Sequence, residues 1–506
     1  MSAVVHSILE SGNAGIVIDT ECHVSNGLPS IQIVGFANKA VDEAKERVRS
    51  AFSNAGLDFP KKRIIINLAP ADIPKDSTSF DVPIAISILA ASRQIKTDDH
   101  SNSLFVGELG LDGSVRSIRG IIGKLLAGRK KGYKKFYIPE GNVLQAKLVP
   151  GITLLPVKNL KDLYLDLTNT VNIRQFTTEE GSIDDLKQSL YISDFRDVVG
   201  QARAKRALEI AAAGGHNILL NGAPGTGKSM LAKAVPSIMP PLRHEEILEI
   251  THLHSLANKD FDQIVTERPF RSPHHSASGI SIIGGGQYPR PGEISLSHHG
   301  VLFFDEFPEF GRNTIEALRQ PLEDRVITVA RARDNITFPA KFMLIATSNP
   351  CPCGYYGTSK ACTCLPQQIV KYQRKVSGPI IDRIDLYVDV DEVKHESLLH
   401  GHSEESSKEI QERVMRARQY QQQRYDDPVK QNAMLSNQDI KKFVPLSADA
   451  EELLNKAAEK LNISARSYMR LVKVARTIAD LERAETVSVS HISEALQYRK
   501  PEPQLL

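Results

Sequence analysis

Short apolar runs and helical spacings alternate along the chain, and the way they alternate changes twice. In residues 1–165, Ile31-Gln32-Ile33-Val34 and Arg63-Ile64-Ile65-Ile66-Asn67-Leu68 predict strands. Apolar residues from Asn38 to Asn54 recur at amphipathic-helix spacing. Val82 to Ala91 is almost wholly apolar and predicts a buried helix. The polar stretch from about Asn169 to Ser193 has weak periodicity and predicts a linker, placed at 166–196. From Asp197 to about Val390, strand, loop and helix succeed one another, the pattern of a parallel sheet covered by helices. Beyond about His395 the spacing is helical: Glu405–Tyr425, Ala448–Leu461, Ser464–Glu482 and Ser490–Tyr498. The expected fold class is α/β, in three parts: 1–165, 197–392 and a helical 393–506.

Charge and composition narrow the function. The net charge is only +3, so bulk electrostatics does not announce a nucleic-acid binder. Such a contact would come from local patches or from charge concentrated by assembly. The basic clusters Lys61-Lys62-Arg63 and Arg129-Lys130-Lys131-Gly132-Tyr133-Lys134-Lys135 are more simply solvated faces. No apolar stretch is long enough to cross a bilayer, and no secretory leader is evident, so no membrane association and a cytoplasmic location are expected. The chain has 5 cysteines, too few for a disulfide scaffold.

Chemistry is concentrated in the middle part. Asn217-Ile218-Leu219-Leu220 predicts a strand that runs into Gly222-Ala223-Pro224-Gly225-Thr226-Gly227-Lys228-Ser229, and helical spacing resumes at Met230. That is the strand–loop–helix context a phosphate-binding loop requires. Its backbone N–H groups and the following helix N-terminus attract phosphate oxygens. Lys228 would pair with the β- and γ-phosphates of ATP, and the Ser229 hydroxyl would bind Mg²⁺. Val301-Leu302-Phe303-Phe304 predicts a buried strand ending in Asp305-Glu306. Asp305 would hold the metal through its water shell, and Glu306 would polarise the attacking water. A further strand, Lys341 to Thr347, leads to Asn349, placed to help hold that water.

Cys351-x-Cys353 and Cys362-x-Cys364, 8 residues apart, offer four thiolates in one loop. Four soft ligands fit a tetrahedral, structural Zn²⁺ with no position left for water. Cys22 is expected to be a lone buried thiol. The pairs His274-His275 and His298-His299 would point apart on a strand, so neither is expected to share an ion.

These motifs resemble the AAA+ superfamily, in its Mg-chelatase/MCM-like branch, and most closely the ComM/YifB family. The resemblance extends to Asp197-Val198-Val199-Gly200-Gln201, Arg268-Pro269-Phe270-Arg271-Ser272-Pro273-His274-His275, Gly284 to Leu296, Asn349 to Gly354 and Gly378 to Asp385. It implies an AAA+ core at 197–392 with inserted hairpins and a C-terminal helical lid. Arg383 is then an arginine finger acting on the neighbouring subunit's γ-phosphate, and Arg466, after Ser464-Ala465, a sensor of nucleotide state. The stretch Ser278–Ser297 looks like the extra hairpin of this branch. Val326 to Phe338 reads as a second, with alternating runs around Asp334-Asn335. Related helicases aim such a hairpin into the ring pore, making Arg331 and Arg333 the expected DNA contacts.

Residues 1–165 resemble the proteolytic domain of Lon proteases. Pro74-Lys75-Asp76-Ser77-Thr78-Ser79 matches the nucleophile segment, with Ser79 at the nucleophile position. Gly107-Glu108-Leu109 through Gly120 leads to the lysine position, which Ile122 occupies. Lys124, two residues on, would point elsewhere on a helix. Without an amine to take the serine proton, proteolysis is not expected. The resemblance implies a homohexameric, ATP-dependent DNA motor for helicase or branch-migration work in recombination during DNA uptake. The alternative is a chelatase-like ATPase that remodels a protein partner.

Overall fold

Strands β1 (Ser2–Ser11) and β2 (Ala14–Ser25) pair antiparallel along their length. The computed structural model describes residues 2–11, 14–35, 39–73, 75, 78–96, 102–178, 193–257, 263–286, 290–330, 335–376, 378–392 and 404–500. By packing, these fall into two units, Met1–Lys187 with Arg243–Thr266, and Gln188–Leu242 with Glu267–Leu506. In the first, β3 (Ser30–Val34) precedes helix α1 (Ala44–Ala55) and β4 (Arg63–Ala69). The sheet order is β1-β2-β4-β3, with only β3 and β4 parallel. Ile64, Ile66 and Leu68 of β4 are fully buried, as the two-residue period requires of one sheet face.

Helix α2 (Asp81–Ala91) is buried on nearly all sides, which is why it shows no polar stripe. Its first residue, Asp81, is held by Arg47 of α1 through bonds of 2.6 and 2.9 Å, and accepts the Leu109 N–H at 3.1 Å. A second sheet joins β5 (Ser103–Phe105), β6 (Lys135–Pro139), β7 (Thr153–Val157) and β8 (Phe176–Thr177) in the order β8-β7-β6-β5. The short edge strand β8 lies inside the stretch expected to be linker. Residues 179–192 of that stretch lie outside the described residues. Helix His244–Ala257 belongs to this unit, where a His244 ring nitrogen lies 2.9 Å from the Leu148 carbonyl.

The second unit holds α3 (Ala202–Gly214), β9 (Ile218–Asn221), α4 (Lys228–Ile238), β10 (Phe270–Arg271) and β11 (Val301–Phe304). The hairpin β12 (Val326–Ala330) and β13 (Asn335–Pro339) precedes β14 (Met343–Ser348), α5 (Pro366–Gln373) and β15 (Leu386–Asp389). The sheet order β10-β11-β14-β9-β15 is parallel throughout. All four residues of β11 are buried, as expected for an inner strand covered on both faces.

The C-terminal segment is helical, with α6 (Ser407–Tyr425), α7 (Ala448–Lys460), α8 (Ala465–Leu481) and α9 (Val489–Gln497). Its apolar residues share one continuous core with the sheet. Arg418 and Gln421 of α6 donate to the carbonyls of Ala212 and Ala213 at 2.7 and 3.0 Å. They thereby satisfy acceptors that the end of α3 would leave open. Among the described residues no helix is long and apolar enough to cross a membrane.

Candidate nucleotide site and cysteine cluster

Strand β9 ends at Asn221, and the chain turns through Gly222–Gly227 into α4. Gly227, at φ +87°, takes the left-handed conformation that lets the helix begin at Lys228. Lys228 and Ser229 therefore occupy the first turn, where N–H groups have no intrahelical partner. The Lys228 ammonium donates to the carbonyls of Gly222 and Ala223 at 2.7 and 2.8 Å, and lies 3.4 Å from Asn349 Oδ1. Burial lowers its pKa, against the opposing pull of Asp305 and Glu306. The buried amine is thus held by weak neutral acceptors, which phosphate oxygens readily replace.

Parallel alignment of β9, β11 and β14 brings three loops to one sheet edge. Asp305, just past β11, accepts from the Ser229 hydroxyl at 2.9 Å and from the Thr347 hydroxyl at 2.6 Å. Thr347 also accepts the Glu306 N–H at 2.9 Å, fixing a residue whose backbone is left-handed at φ 52°. A hydroxyl and a carboxylate in contact form a donor set suited to Mg²⁺, a hard cation that takes oxygen ligands. The residues fit a nucleotide with its metal. Thr347 did not stand out in the sequence, because a threonine at the end of a strand has no pattern of its own.

Arg383 lies at the other end of β9. Asn217, which precedes the strand, donates to the Arg383 carbonyl at 3.0 Å, and its own carbonyl accepts the N–H groups of Asp385 and Leu386. Its side-chain oxygen accepts from Leu344 N, so one asparagine staples three adjacent strands. From Asn217 to Gly222 is about 16 Å along an extended strand. The Arg383 guanidinium donates to Pro379 O at 2.6 Å and pairs with Glu323, while its Nε is buried without a hydrogen-bond partner. Arg466 Nη2 lies 3.9 Å from the same Glu323. Both arginines thus gather at one acidic side chain.

The four cysteines converge. Cys351 Sγ is 3.3 Å from that of Cys353 and 3.7 Å from that of Cys362, and Cys353 is 3.5 Å from Cys362. All four sulfurs lie within 4.8 Å of one another. A tetrahedron with Zn–S bonds of roughly 2.3 Å has edges of about 3.8 Å, so the set fits zinc. Backbone N–H groups of Tyr355 and Thr363 bring the Cys353 thiol down to about 5, supplying a first thiolate. Burial, then the Cys353 and Cys351 sulfurs, push Cys364 up to about 12, the opposition a cation would relieve. Cys22 is buried, and its thiol is pushed up to about 12 by that burial.

Other expectations fare differently. Neither histidine pair is on a strand. His274-His275 and His298-His299 sit in loops and turns, where their ring centroids lie 4.1 and 4.0 Å apart rather than on opposite sides. His298 Nδ1 instead accepts the Lys341 N–H at 3.0 Å. The first inserted segment folds as a short helix, Gly279–Ile283, a two-residue pairing of Gly284–Gly285 with Arg290–Pro291, and helix Glu293–Leu296. The second forms the β12–β13 hairpin, with Asn335 paired to Ala330 within the strands rather than in the expected Asp334-Asn335 turn, and Arg331 and Arg333 lie outside the described residues. In the first unit Ser79 is fully buried. Ile122, expected at the lysine position, is also fully buried, and Lys124 is buried on the same helix.

Residues 194–398 match the family described as "Magnesium chelatase, subunit ChlI", residues 20–142 match "Subunit ChlI of Mg-chelatase", and residues 404–499 match its C-terminal region. The chain is 42% identical over 503 residues to YifB of Salmonella typhimurium, covering 98% of this chain and 97% of that protein. It is 41% identical over 502 residues to the competence protein ComM of Haemophilus influenzae, with the same shares covered. A Lon protease of Buchnera aphidicola matches at 30% over 174 residues, 32% of this chain and 22% of that one.

Proposed function

From the premise that this chain belongs to the Mg-chelatase-like AAA+ family of ComM and YifB, we propose that it is an ATP-driven DNA motor. Its work is branch migration or unwinding of recombination intermediates formed during DNA uptake, as a ring of identical subunits, six by family. The observation that carries this reading is the meeting of Lys228, Ser229, Asp305, Thr347 and Asn349 at one sheet edge, with Arg383 and Arg466 gathered at the opposite end. A chain whose Arg383 backbone lies at the opposite end of β9 from its phosphate loop completes its hydrolytic site by pairing with a second copy.

ATP and Mg²⁺ supply the scissile anhydride and the cation that offsets its charge. Lys228 exchanges its carbonyl partners for phosphate oxygens, and the Ser229 hydroxyl and Asp305 orient the metal's ligand shell. Glu306, held through its backbone by Thr347, draws a proton from the attacking water, which Asn349 helps position. Arg383 leaves Glu323 for the neighbouring subunit's γ-phosphate, where a fixed guanidinium stabilises the charge of the transferring group. Arg466 responds to the same exchange. Cys351, Cys353, Cys362 and Cys364 would hold one structural zinc, which would cross-link the loop. Arg331 and Arg333 contact DNA, and repetition around the ring concentrates charge that a chain of net +3 lacks. The first unit, with Ile122 at the amine position, serves as a docking or assembly collar.

Purified protein should move the branch of a synthetic four-way junction only with ATP and Mg²⁺, and Lys228→Ala should abolish it. ATP turnover stimulated by a protein partner, with no movement of the junction, would favour the chelatase-like remodelling reading instead.

A further inference from the structure

The cysteine loop does more than close on itself. Gly354, immediately after Cys353, has φ +86°, and a Cβ placed there would lie 2.5 and 2.7 Å from Cδ and Cγ of Pro224. Pro224 is in the phosphate-binding loop, so the glycine backbone lies flat against that loop's proline ring. A Cβ built on Gly225 or Gly227 would meet nothing within 4 Å. The phosphate loop is therefore open at those glycines and backed by the cysteine loop at Pro224.

Further contacts join the same two parts. Asn349, which faces Lys228 at 3.4 Å, stands two residues before Cys351, and Cys351 is fully buried. On the far side, α5 begins just after Cys364. Its Gln373 amide donates to Pro350 O at 3.2 Å. The segment thus leaves the pocket at Asn349, passes through all four thiols and returns to brace Pro350, the residue next to Asn349. The sulfur cluster is the fastening that closes this circuit.

We infer that Gly354 is a positioning residue for the phosphate loop, and that zinc held by Cys351, Cys353, Cys362 and Cys364 sets the position of Pro224 and Asn349, making nucleotide affinity depend on the metal. This rests on the zinc and nucleotide readings above. With zinc removed, four crowded thiols lose the cation that holds them together, and the wall behind Pro224 relaxes. The phosphate loop then holds its phosphate-facing N–H groups less well, and binding weakens before any chemistry occurs.

The test separates the metal from the contact. Zinc per chain is counted by native mass spectrometry, and the affinity for a fluorescent ATP analogue is measured in excess Mg²⁺. Stripping zinc from the wild-type chain should weaken binding about tenfold, near the low end of what misplaced outer contacts of a metal site cost, and added zinc should restore it. Gly354→Ala should keep one zinc yet bind nucleotide about tenfold more weakly, as an overpacked contact predicts. Adding Pro224→Ala, which removes the ring atoms the new methyl would strike but leaves the alanine strained at φ +86°, should recover part of that loss. The inference is overturned by a Gly354→Ala chain that keeps both zinc and affinity, or by a double variant no better than the single one. A zinc-loaded chain whose affinity survives chelation overturns it too, while leaving the zinc reading intact. A wild-type chain without zinc overturns both.

Discussion

Replacing Thr347 with valine removes one hydroxyl from a site where it has two partners. Thr347 is 1% exposed, and valine fills nearly the same volume, so the packing survives. What goes is a 2.6 Å bond donated to the Asp305 carboxylate and a 2.9 Å bond accepted from Glu306 N. A hydrogen bond to a charged group is worth about 1.5–3 kcal/mol. At about 1.4 kcal/mol per decade of rate, that predicts a fall in kcat of roughly 10- to 150-fold. The loss belongs in kcat because Thr347 orients the Asp305 carboxylate and the Glu306 backbone, whereas Lys228 and the loop backbone hold the phosphates. Steady-state phosphate release in the presence of DNA gives kcat, and a fluorescent analogue gives Kd, with particle size checked in parallel. Near-wild-type kcat in a particle of normal size would refute the reasoning, as would a loss confined to Kd.

Other expectations follow from contacts away from the phosphates. Arg47→Met leaves the Asp81 carboxylate buried without its cation and should cost about 3–5 kcal/mol of the first unit's stability at neutral pH. Burial already raises the Asp81 pKa above its ordinary value even with Arg47 beside it. The folded variant therefore binds a proton before the unfolded chain does, and its deficit should shrink as pH falls from 7 towards 4 in chemical-denaturation curves. A deficit independent of pH would contradict this. Asn217→Ala removes the bonds to Arg383 O and Leu344 N and should lower stability by about 2 kcal/mol. It should depress turnover more than nucleotide affinity, because the Arg383 loop shifts while the phosphate loop stays. Cys362→Ser should lose its zinc in native mass spectrometry and melt at lower temperature; a retained ion would remove Cys362 from the ligand set.

Features written in contiguous residues were legible in the sequence. The loop Gly222–Ser229, the pair Asp305-Glu306 after an apolar strand, and two close cysteine pairs each carry their chemistry within a few positions. The helical C-terminus and the β12–β13 hairpin were legible for the same reason, through spacing alone. Contacts between distant segments were not. Thr347 matters because parallel alignment sets it beside Asp305. Asn217 matters because three strand ends meet around it, and Gly354 because Pro224 packs on it. The histidine pairs were misjudged because alternation applies only to a strand, and turns bring adjacent rings side by side. Residues 243–266 look continuous with the phosphate-loop segment in sequence yet fold with the first unit, a matter of tertiary packing.

The account rests on a pocket shared between subunits, and mixing two defective chains tests it most directly. Lys228→Ala lacks a working loop but keeps its Arg383, whereas Arg383→Ala keeps its loop and lacks the finger. Each alone should turn over almost no ATP. In an equimolar mixed ring, half the loops are intact and half of those face an intact arginine, so about a quarter of wild-type ATPase activity should return. Mixed particles of normal size with no recovery, or full turnover by Arg383→Ala alone, would contradict the shared site.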